Sequence, residues 1–276
     1  MTELQAFILG LIQGLAEFLP ISSSGHLTLG QMFFGLSDVP MTLDILLHLG
    51  TLLAVFVVYW KRIWNMIVHP IASELKYLIL ATIPAVLAAL FLGDFIDRLF
   101  EGAYLGFSFL LTSFVLVLGE AVNRLRPRTS KHKQVNAVDA IVMGCMQAVA
   151  IAPGLSRSGS TICGGMFSGL SRKRAADFSF LMSIPAILGS AVLDLKDMYD
   201  EASAIGISFG TQFIERIVEM GGAIPVIIAV ATAAISGFLA IKLMLKIVKK
   251  VGMRWFAVYT FLLGAFMIAY QMFFAA

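Results

Sequence analysis

A stretch of 28 residues occurs twice in this chain, half a chain length apart. The first copy, Gly10–Ser37, reads GLIQGLAEFLPISSSGHLTLGQMFFGLS, and the second, Gly144–Ser171, reads GCMQAVAIAPGLSRSGSTICGGMFSGLS. Chance would give about two to four identities in so apolar a stretch. The identical residues, in the numbering of the first copy, are Gly10, Gln13, Ala16, Ser22, Ser24, Gly25, Gly30, Met32, Phe33, Gly35, Leu36 and Ser37. An offset of 134 residues in a chain of 276 indicates an internal duplication, which restricts the fold to two related halves.

The two copies differ at the positions that carry charge. The first copy has an acid, Glu17, and an imidazole, His26, where the second copy has an apolar and a hydroxyl side chain. The second copy has a guanidinium, Arg157, at the position of Ser23. One scaffold is therefore present twice with complementary chemistry.

The composition places this scaffold in a membrane. The chain is 59% hydrophobic and 13% charged, with a mean hydropathy of +0.90, whereas soluble domains carry about a quarter charged residues. The net charge of +3 gives no indication of a nucleic-acid partner. Cys145 and Cys163 lie in apolar stretches, so no disulfide framework is expected. Met1–Glu3 lacks the basic start of a signal peptide, so no cleavage is expected. We predict an all-α integral membrane protein.

The first copy predicts two short helices around a polar break. A capping box at Thr2–Gln5 opens a helix that runs to about Phe18, and a second helix follows the Ser22–Gly25 loop over residues 26–34. Each helix is too short for about 30 Å of hydrocarbon, which needs about 20 residues. Residues 2–37 therefore form a re-entrant hairpin, because irregular backbone at membrane depth must be buried in protein or line a wet cavity.

The second copy predicts an equivalent hairpin over residues 137–171. Asn136 and Asp139 can cap its first helix, and Pro153-Gly154 breaks it. Three membrane spans follow each hairpin, and an amphipathic interfacial segment is expected over residues 205–220. The predicted spans cover residues 43–60, 77–93, 103–123, 177–194, 223–246 and 254–275.

An odd number of spans in each half inverts the second half relative to the first. Residues 1–125 form the first repeat, residues 126–136 a basic cytoplasmic linker and residues 137–276 the second repeat. Inverted repeats whose broken helices meet at the midplane are the usual architecture of a transporter.

The charges agree with this inverted topology. Basic residues collect on one predicted side, at Lys61-Arg62, Arg124–Lys133, Arg172–Arg174 and Lys246–Arg254. Acidic residues collect on the other, at Asp94, Asp97, Glu101, Asp194, Asp197, Asp200 and Glu201. The basic side is expected to be cytoplasmic, so both termini face outward and the two hairpin tips meet near the midplane.

Gln13 and Glu17 share one face of the first helix, because they are four residues apart. Gly10 and Gly14 on that helix form a GxxxG pattern, which packs helices closely. An acid one turn before a polar break inside a membrane is a functional candidate, and the alternative is a paired structural carboxylate. Glu17 is thus a candidate catalytic residue and metal ligand, and Gln13 a candidate substrate contact.

The serine loop of the first copy adds further candidates. Ser22 or Ser24 alone would supply an N-cap, so three hydroxyls and Gly25 exceed what capping needs. Helix N-termini bind phosphate through free N–H groups and the helix dipole. We predict catalytic roles for Ser23 and His26, and phosphate binding by Ser22, Ser24 and Gly25. The alternative for His26 is a core histidine with satisfied hydrogen bonds.

Arg157 lies at the second tip, where a charge at the midplane is costly unless an anion meets it. Its planar fork matches phosphate oxygens, and the alternative is an ion pair with Glu17. The phosphate-binding candidates beside it are Ser156, Ser158, Gly159 and Thr161.

The remaining polar positions are interpreted as structural. Asp44 and His48 form an i,i+4 pair near the start of the first span, and Asp177 begins the equivalent span, so we interpret them as helix-end or lumen-facing groups. The sequence has no GxxxxGK[ST] loop and no His–Cys cluster for zinc. The SGH string lacks the SRxxxxxHxxxD partner of type-2 phosphatidic-acid phosphatases.

Three motifs make the chain resemble the undecaprenyl-diphosphate phosphatase family, also known for bacitracin resistance. Gln13–Glu17 fits its [E/Q]xxxE motif, Pro20–His26 its P-x-S-S-[ST]-G-H segment, and Pro153–Thr161 its PGxSRSxxT signature. The resemblance extends to Gly164–Met166 and Phe178–Phe180 and covers nearly the whole chain. Many members have glutamate at the position of Gln13, which argues against a metal site with two carboxylates.

The resemblance implies a multi-pass hydrolase of the bacterial cytoplasmic membrane, with its active site open to the extracytoplasmic side. It would convert undecaprenyl diphosphate to undecaprenyl phosphate and recycle the carrier lipid for cell-wall synthesis. The nucleophile would be Ser23 or His26, and a divalent cation is expected. The alternative is a transporter or flippase of a phosphorylated lipid on the same inverted repeat.

The residues make the cation plausible. A lipid diphosphate carries about three negative charges, and Arg157 with two helix ends cannot balance them beside Glu17. Mg²⁺ or Ca²⁺ held by Glu17 and phosphate oxygens would do so and would stabilise the transferring phosphoryl group. The expected partners are a polyprenyl diphosphate and the lipid bilayer, without nucleic acid, and a homo-oligomer is left open.

Overall fold

The computed structural model describes residues 1–36, 40, 42–99, 105–126 and 134–274. Regular structure within them is helical, which confirms the predicted class. The helices are α1 Glu3–Phe18, α2 Ser23–Phe33, α3 Thr42–Val68, α4 Leu75–Leu99, α5 Leu105–Leu125, α6 Ala137–Val149, α7 Arg157–Ser168, α8 Arg172–Ile205, α9 Phe209–Glu219, α10 Ala223–Lys250 and α11 Arg254–Phe274.

Both predicted capping boxes are present. The Gln5 N–H donates to Thr2 Oγ1 at 3.3 Å, and the Thr2 N–H donates to Gln5 Oε1 at 2.7 Å. Asn136 and Asp139 exchange the same bonds at 3.0 and 2.9 Å. Each box satisfies two N–H groups that a helix start leaves without a partner, so both hairpins begin where the sequence predicts.

The two hairpins consist of short helices, as predicted. Helices α1 and α2 have 16 and 11 residues, and α6 and α7 have 13 and 12. Helix α2 begins at Ser23 rather than at His26, because the Ser22 side chain caps it by accepting from the Gly25 N–H at 3.3 Å. A serine at the N-cap allows the helix to start at once, so the polar loop is shorter than expected.

Five of the described helices, namely α3, α5, α8, α10 and α11, are long and apolar enough to cross a membrane. Helix α4 has a shorter apolar part, Leu75–Phe91. Helix α3 runs beyond its predicted end at residue 60 but is kinked at Tyr59, one residue before that end. Helix α9 occupies the predicted interfacial segment. The orientation of the two halves relative to the membrane stays a prediction.

The hairpins are packed across the halves. Helix α1 lies on α10, and helix α6 lies on α4. A Cβ on Gly10 would sit 2.3 Å from the Ala229 carbonyl oxygen, and one on Gly144 would sit 2.4 Å from that of Ala81. Both glycines therefore allow the close approach of two backbones, as the GxxxG pattern indicated for the first hairpin.

Close packing holds the helices together in the membrane interior. The exclusion of apolar side chains from water contributes little there, because lipid tails are as apolar as those side chains. Phe18 at the end of α1 meets Phe180 of α8 edge to face, with ring centroids 5.4 Å apart and an interplanar angle of 83°. Both rings are fully buried, which fixes the end of the first hairpin helix against α8. Cys145 and Cys163 are free thiols, as expected.

Some predicted features fall on residues that the structure does not describe. They are Ser37, Glu101, residues 103 and 104 of the third predicted span, residues 127–133 of the linker and residue 275 of the last span, together with the side chains of Asp94, Asp97, Lys249 and Lys250.

Candidate active site

A buried carboxylate joins the tips of the two hairpins. Glu17, in the last turn of α1, has a side chain that is 4% exposed. Its Oε2 accepts hydrogen bonds from Ser23 Oγ at 2.7 Å and from Gln13 Nε2 at 3.1 Å. Its Oε1 accepts a hydrogen bond from the Arg157 guanidinium. The structure thus gathers three of the predicted site residues around a fourth.

Arg157 is the first residue of α7, as Ser23 is the first residue of α2. Besides pairing with Glu17, it donates from Nη1 to the backbone carbonyl of Ser179 in α8 at 3.2 Å. The ion pair that the sequence left as the alternative to phosphate binding is therefore present. A guanidinium has five N–H groups in a planar fork, so these two contacts leave donors for a further anion.

Ser22 has an unusual backbone conformation. With φ at 74°, it is the one non-glycine residue with a positive φ in the part of the chain that the structure describes. Its hydroxyl accepts from Gly25, and its carbonyl accepts from the His26 ring. Such a conformation costs about 1–3 kcal/mol and is typical of functional loops. The neighbouring Ser24 hydroxyl accepts from the Gly154 N–H at 3.3 Å and so links the two tips.

The hydroxyls of the second tip brace both loops. Ser156 Oγ caps α7 by accepting from the Gly159 N–H at 3.0 Å. Ser158 Oγ donates to the Leu19 carbonyl at 3.0 Å, across the two hairpins. Thr161 Oγ1 and the Ser179 hydroxyl of α8 are joined by a hydrogen bond of 2.6 Å. All three side chains have structural partners, and their phosphate-binding role stays a prediction.

His26 is bonded away from the carboxylate. Its Nδ1 bonds to the Ser22 carbonyl at 2.7 Å, and its Nε2 bonds to the Tyr259 hydroxyl of α11 at 2.7 Å. The ring also meets Phe109 edge to face, with centroids 5.3 Å apart. Ser23 and His26 therefore have different hydrogen-bond partners, and the base in contact with the Ser23 hydroxyl is the carboxylate.

His48 is a member of the site that the sequence analysis interpreted only as a helix-end or lumen-facing group. Its Nε2 lies 3.4 Å from Glu17 Oε2, and its Nδ1 bonds to the Asp44 backbone carbonyl at 2.6 Å. The Asp44 carboxylate accepts instead from Gln31 Nε2 at 2.9 Å. The i,i+4 spacing of two polar residues in an apolar helix was the available signal, but it did not show that α3 packs on α1.

Residues 6–266 match the family described as bacitracin resistance protein BacA. The chain belongs to this family. It is 41% identical over 273 residues to a protein named undecaprenyl-diphosphatase from Carboxydothermus hydrogenoformans, covering 98% of each chain. It is 39% identical over 272 residues to undecaprenyl-diphosphatase 4 of Bacillus thuringiensis, again covering 98% of each. Membership in the BacA family confirms the resemblance drawn from the three motifs.

Two side chains of this cluster, Glu17 and Gln13, have oxygen atoms of the kind that divalent cations prefer. Gln13 Oε1 is buried without a hydrogen-bond partner, on the side chain whose amide donates to Glu17. No three His, Cys, Asp or Glu side chains form a metal-sized group among the described residues. Mg²⁺ is commonly held by one or two carboxylates together with substrate phosphates and water. The residues therefore fit a cation that binds together with a phosphate ligand.

One side chain and one backbone carbonyl at the candidate site had no signal in the sequence. Tyr259 is one aromatic residue among many in an apolar span, and Ser179 contributes a carbonyl, which any residue has. Asp177 was interpreted from the sequence as a helix-end or lumen-facing group. Its carboxylate accepts a hydrogen bond from the Tyr59 hydroxyl at 2.9 Å.

Proposed function

We propose that this chain hydrolyses undecaprenyl diphosphate to undecaprenyl phosphate and phosphate. The observation that carries the proposal is the Ser23 hydroxyl donating to the buried Glu17 carboxylate, with the Arg157 guanidinium on the same carboxylate. The relatives named undecaprenyl-diphosphatase, 41% and 39% identical over nearly the whole chain, support the choice of substrate. The reaction recycles the carrier lipid for peptidoglycan synthesis and confers resistance to bacitracin.

The diphosphate binds between the two hairpin tips. Helices α2 and α7 both begin there, so their first N–H groups and the positive ends of their dipoles face one anion. Arg157 turns part of its fork from Glu17 to the phosphate oxygens, while the Ser179 carbonyl keeps the guanidinium in place. Ser22, Ser24, Gly25, Ser156, Ser158, Gly159 and Thr161 shape the loops that present these groups.

Ser23 is the nucleophile that this geometry favours. Glu17 takes the proton of Ser23 Oγ, which forms a bond to the terminal phosphorus, and the bond from that phosphorus to the bridging oxygen breaks. Undecaprenyl phosphate leaves with the bridging oxygen. Water then attacks the phosphoserine, His26 accepts the proton of the water, and Ser23 regains its hydrogen from Glu17 as phosphate departs.

The competing assignment makes His26 the nucleophile. Rapid acid quenching of enzyme with labelled substrate distinguishes the two, because phosphoserine survives acid and phosphohistidine does not. We expect an acid-stable phosphoenzyme on Ser23. An acid-labile phosphoenzyme would contradict the serine assignment.

We assign a divalent cation, Mg²⁺ or Ca²⁺, to Glu17 and Gln13 Oε1. When bound, it would offset the charge of the diphosphate and of the phosphoryl group in transfer. The buried Gln13 oxygen without a partner supports this assignment. Gln13 also orients Glu17 through its amide.

The site opens to the extracytoplasmic side of the cytoplasmic membrane, and both termini lie outside. The support is the placement of basic residues, since Lys61, Arg62 and Arg172–Arg174 belong to the predicted cytoplasmic side. The polyprenyl tail lies in the hydrocarbon between helices.

Phosphate release by the purified protein in detergent tests the function. We expect release from undecaprenyl diphosphate, loss of release with chelator and recovery with Mg²⁺ or Ca²⁺, with Glu17→Gln as the inactive control. Release that persists in chelator would contradict the cation. No release with any divalent cation would favour a transporter or flippase of the phosphorylated lipid.

A further inference from the structure

We infer that Tyr259 is a positioning residue for His26, holding its Nε2 by a hydrogen bond from the other half of the chain. This inference rests on the proposed function, since it concerns the base of the second step. It adds to the site a residue that lies outside all three sequence motifs.

The hydrogen bonds of the His26 ring fix its tautomer. The Ser22 carbonyl can only accept, so the hydrogen bond of 2.7 Å to it places a hydrogen on Nδ1. In the neutral ring Nε2 is then the acceptor, and the Tyr259 hydroxyl, 2.7 Å away, is the donor. The Nε2 lone pair, which would accept a proton from water, is thereby held in the direction of the Tyr259 hydroxyl.

The rings around His26 restrict its rotation. Tyr259 stacks on it with centroids 5.6 Å apart and an interplanar angle of 18°, and Phe109 meets it edge to face at 83°. A Cβ on Gly25 would sit 2.6 Å from Phe109 Cζ, so that ring already lies against the backbone of α2 and has no room to move toward it. His26 therefore has a partner on each nitrogen and an aromatic neighbour on two sides.

The burial of the two bases suits different steps. Glu17 is nearly fully buried and contacts Ser23, whereas Tyr259 is 44% exposed and His26 is partly exposed. A base for incoming water needs an open side, and the base for the serine does not. Tyr259 keeps the exposed imidazole in one orientation until water takes the place of the phenol at Nε2.

Tyr259→Phe removes the hydrogen bond and keeps the stacked ring, with Tyr199→Phe of α8 as the matched control. We expect Tyr259→Phe to lower kcat about tenfold, part of the hundredfold or more that a general base contributes, with KM within about twofold. The Tyr199 control, whose ring is exposed, should leave both constants unchanged.

A second measurement follows the imidazole without turnover. Diethyl pyrocarbonate acylates a free imidazole nitrogen, so the labelling rate of His26, read by peptide mass spectrometry, should rise about threefold or more in Tyr259→Phe as the bond at Nε2 is lost. The exposed His69 serves as the internal reference in the same digest.

The two measurements together decide the inference. A lower kcat with faster His26 labelling supports it. An unchanged kcat, a change in KM alone, or a lower kcat with unchanged labelling would each overturn it. Phosphate release by the wild-type enzyme separates these outcomes from failure of the proposed function, because a wild-type protein without turnover would overturn both.

Discussion

At the scale of the residue, the site is built around one carboxylate with several partners. Burying an ionised group costs several kcal/mol unless charge and hydrogen bonds compensate it. Glu17 has the Arg157 guanidinium on Oε1, and Ser23, Gln13 and His48 on Oε2. Loss of one charged partner leaves the carboxylate uncompensated, so substitutions here affect folding as well as turnover.

Arg157→Lys should be nearly as damaging as Arg157→Ala. A lysine ammonium cannot bond to Glu17, the Ser179 carbonyl and two phosphate oxygens in one plane, whereas the guanidinium fork can. We expect both variants to lose about a hundredfold or more of kcat/KM, as when an oxyanion donor is removed. Phosphate release by the two purified variants checks this, and near-normal turnover of the lysine variant would refute the argument.

Gln13→Glu should remain active, while Glu17→Gln should lose most activity. The amide of Gln13 orients Glu17, and a carboxylate at position 13 would keep an oxygen ligand for the cation, whereas an amide at position 17 cannot take the proton of Ser23. We expect Gln13→Glu within about tenfold of wild type and Glu17→Gln lower by about a hundredfold or more. Equal loss in both variants would instead make Gln13 essential to the reaction.

At the scale of the element, short helices are useful because of where they begin. The sequence stops α1 at Phe18 and caps α2 and α7 with Ser22 and Ser156, so two N-termini reach the interior of the protein. A continuous span would place its N-terminus at the membrane surface instead. Such short helices have little stability alone and depend on the helices that they pack against.

Gly10→Ala and Gly144→Ala should therefore destabilise the protein. The new methyl groups would sit 2.3 and 2.4 Å from backbone carbonyl oxygens of α10 and α4, which cannot yield as a side chain can. We expect each to cost about 1–3 kcal/mol, measured by thermal unfolding in detergent. The matched control is Gly189→Ala in α8, which meets nothing within 4 Å and should be neutral or stabilising by up to about 1 kcal/mol. A stable Gly10→Ala variant would contradict the close packing.

At the scale of the whole molecule, neither half of the chain contains the whole candidate site. Glu17 and Ser23 come from the first half, and Arg157 and Tyr259 come from the second. The packing contacts of the hairpins also cross between the halves, since α1 lies on α10 and α6 lies on α4. The candidate active site and the packing of the hairpins thus depend on the same association of halves.

Co-expression of residues 1–130 and 131–276 as separate chains should restore activity that neither chain has alone. The reason is that each half supplies the surface on which the hairpin of the other packs. Co-purification through a tag on one half, followed by phosphate release, measures the outcome. Turnover by a single half, or halves that do not co-purify, would contradict this account.

The sequence by itself determined the class of the protein, its hairpins and most candidates for the site. These follow from local properties: long apolar runs, capping boxes at Thr2 and Asn136, and a break at Pro20. Such signals act within a few residues, so they can be read without knowing which helices touch. The family motifs likewise lie in two short stretches of the chain.

Only the tertiary structure decided which groups face one another. It placed His48 beside Glu17, turned His26 away from Ser23, and set Tyr259 against His26 across 233 residues of chain. Helix α2 also begins earlier than predicted, with Ser22 at a positive φ that the surrounding contacts hold. Contacts between distant segments are selected by packing over the whole fold, and in a chain rich in apolar helices the residue pattern alone leaves many pairings open.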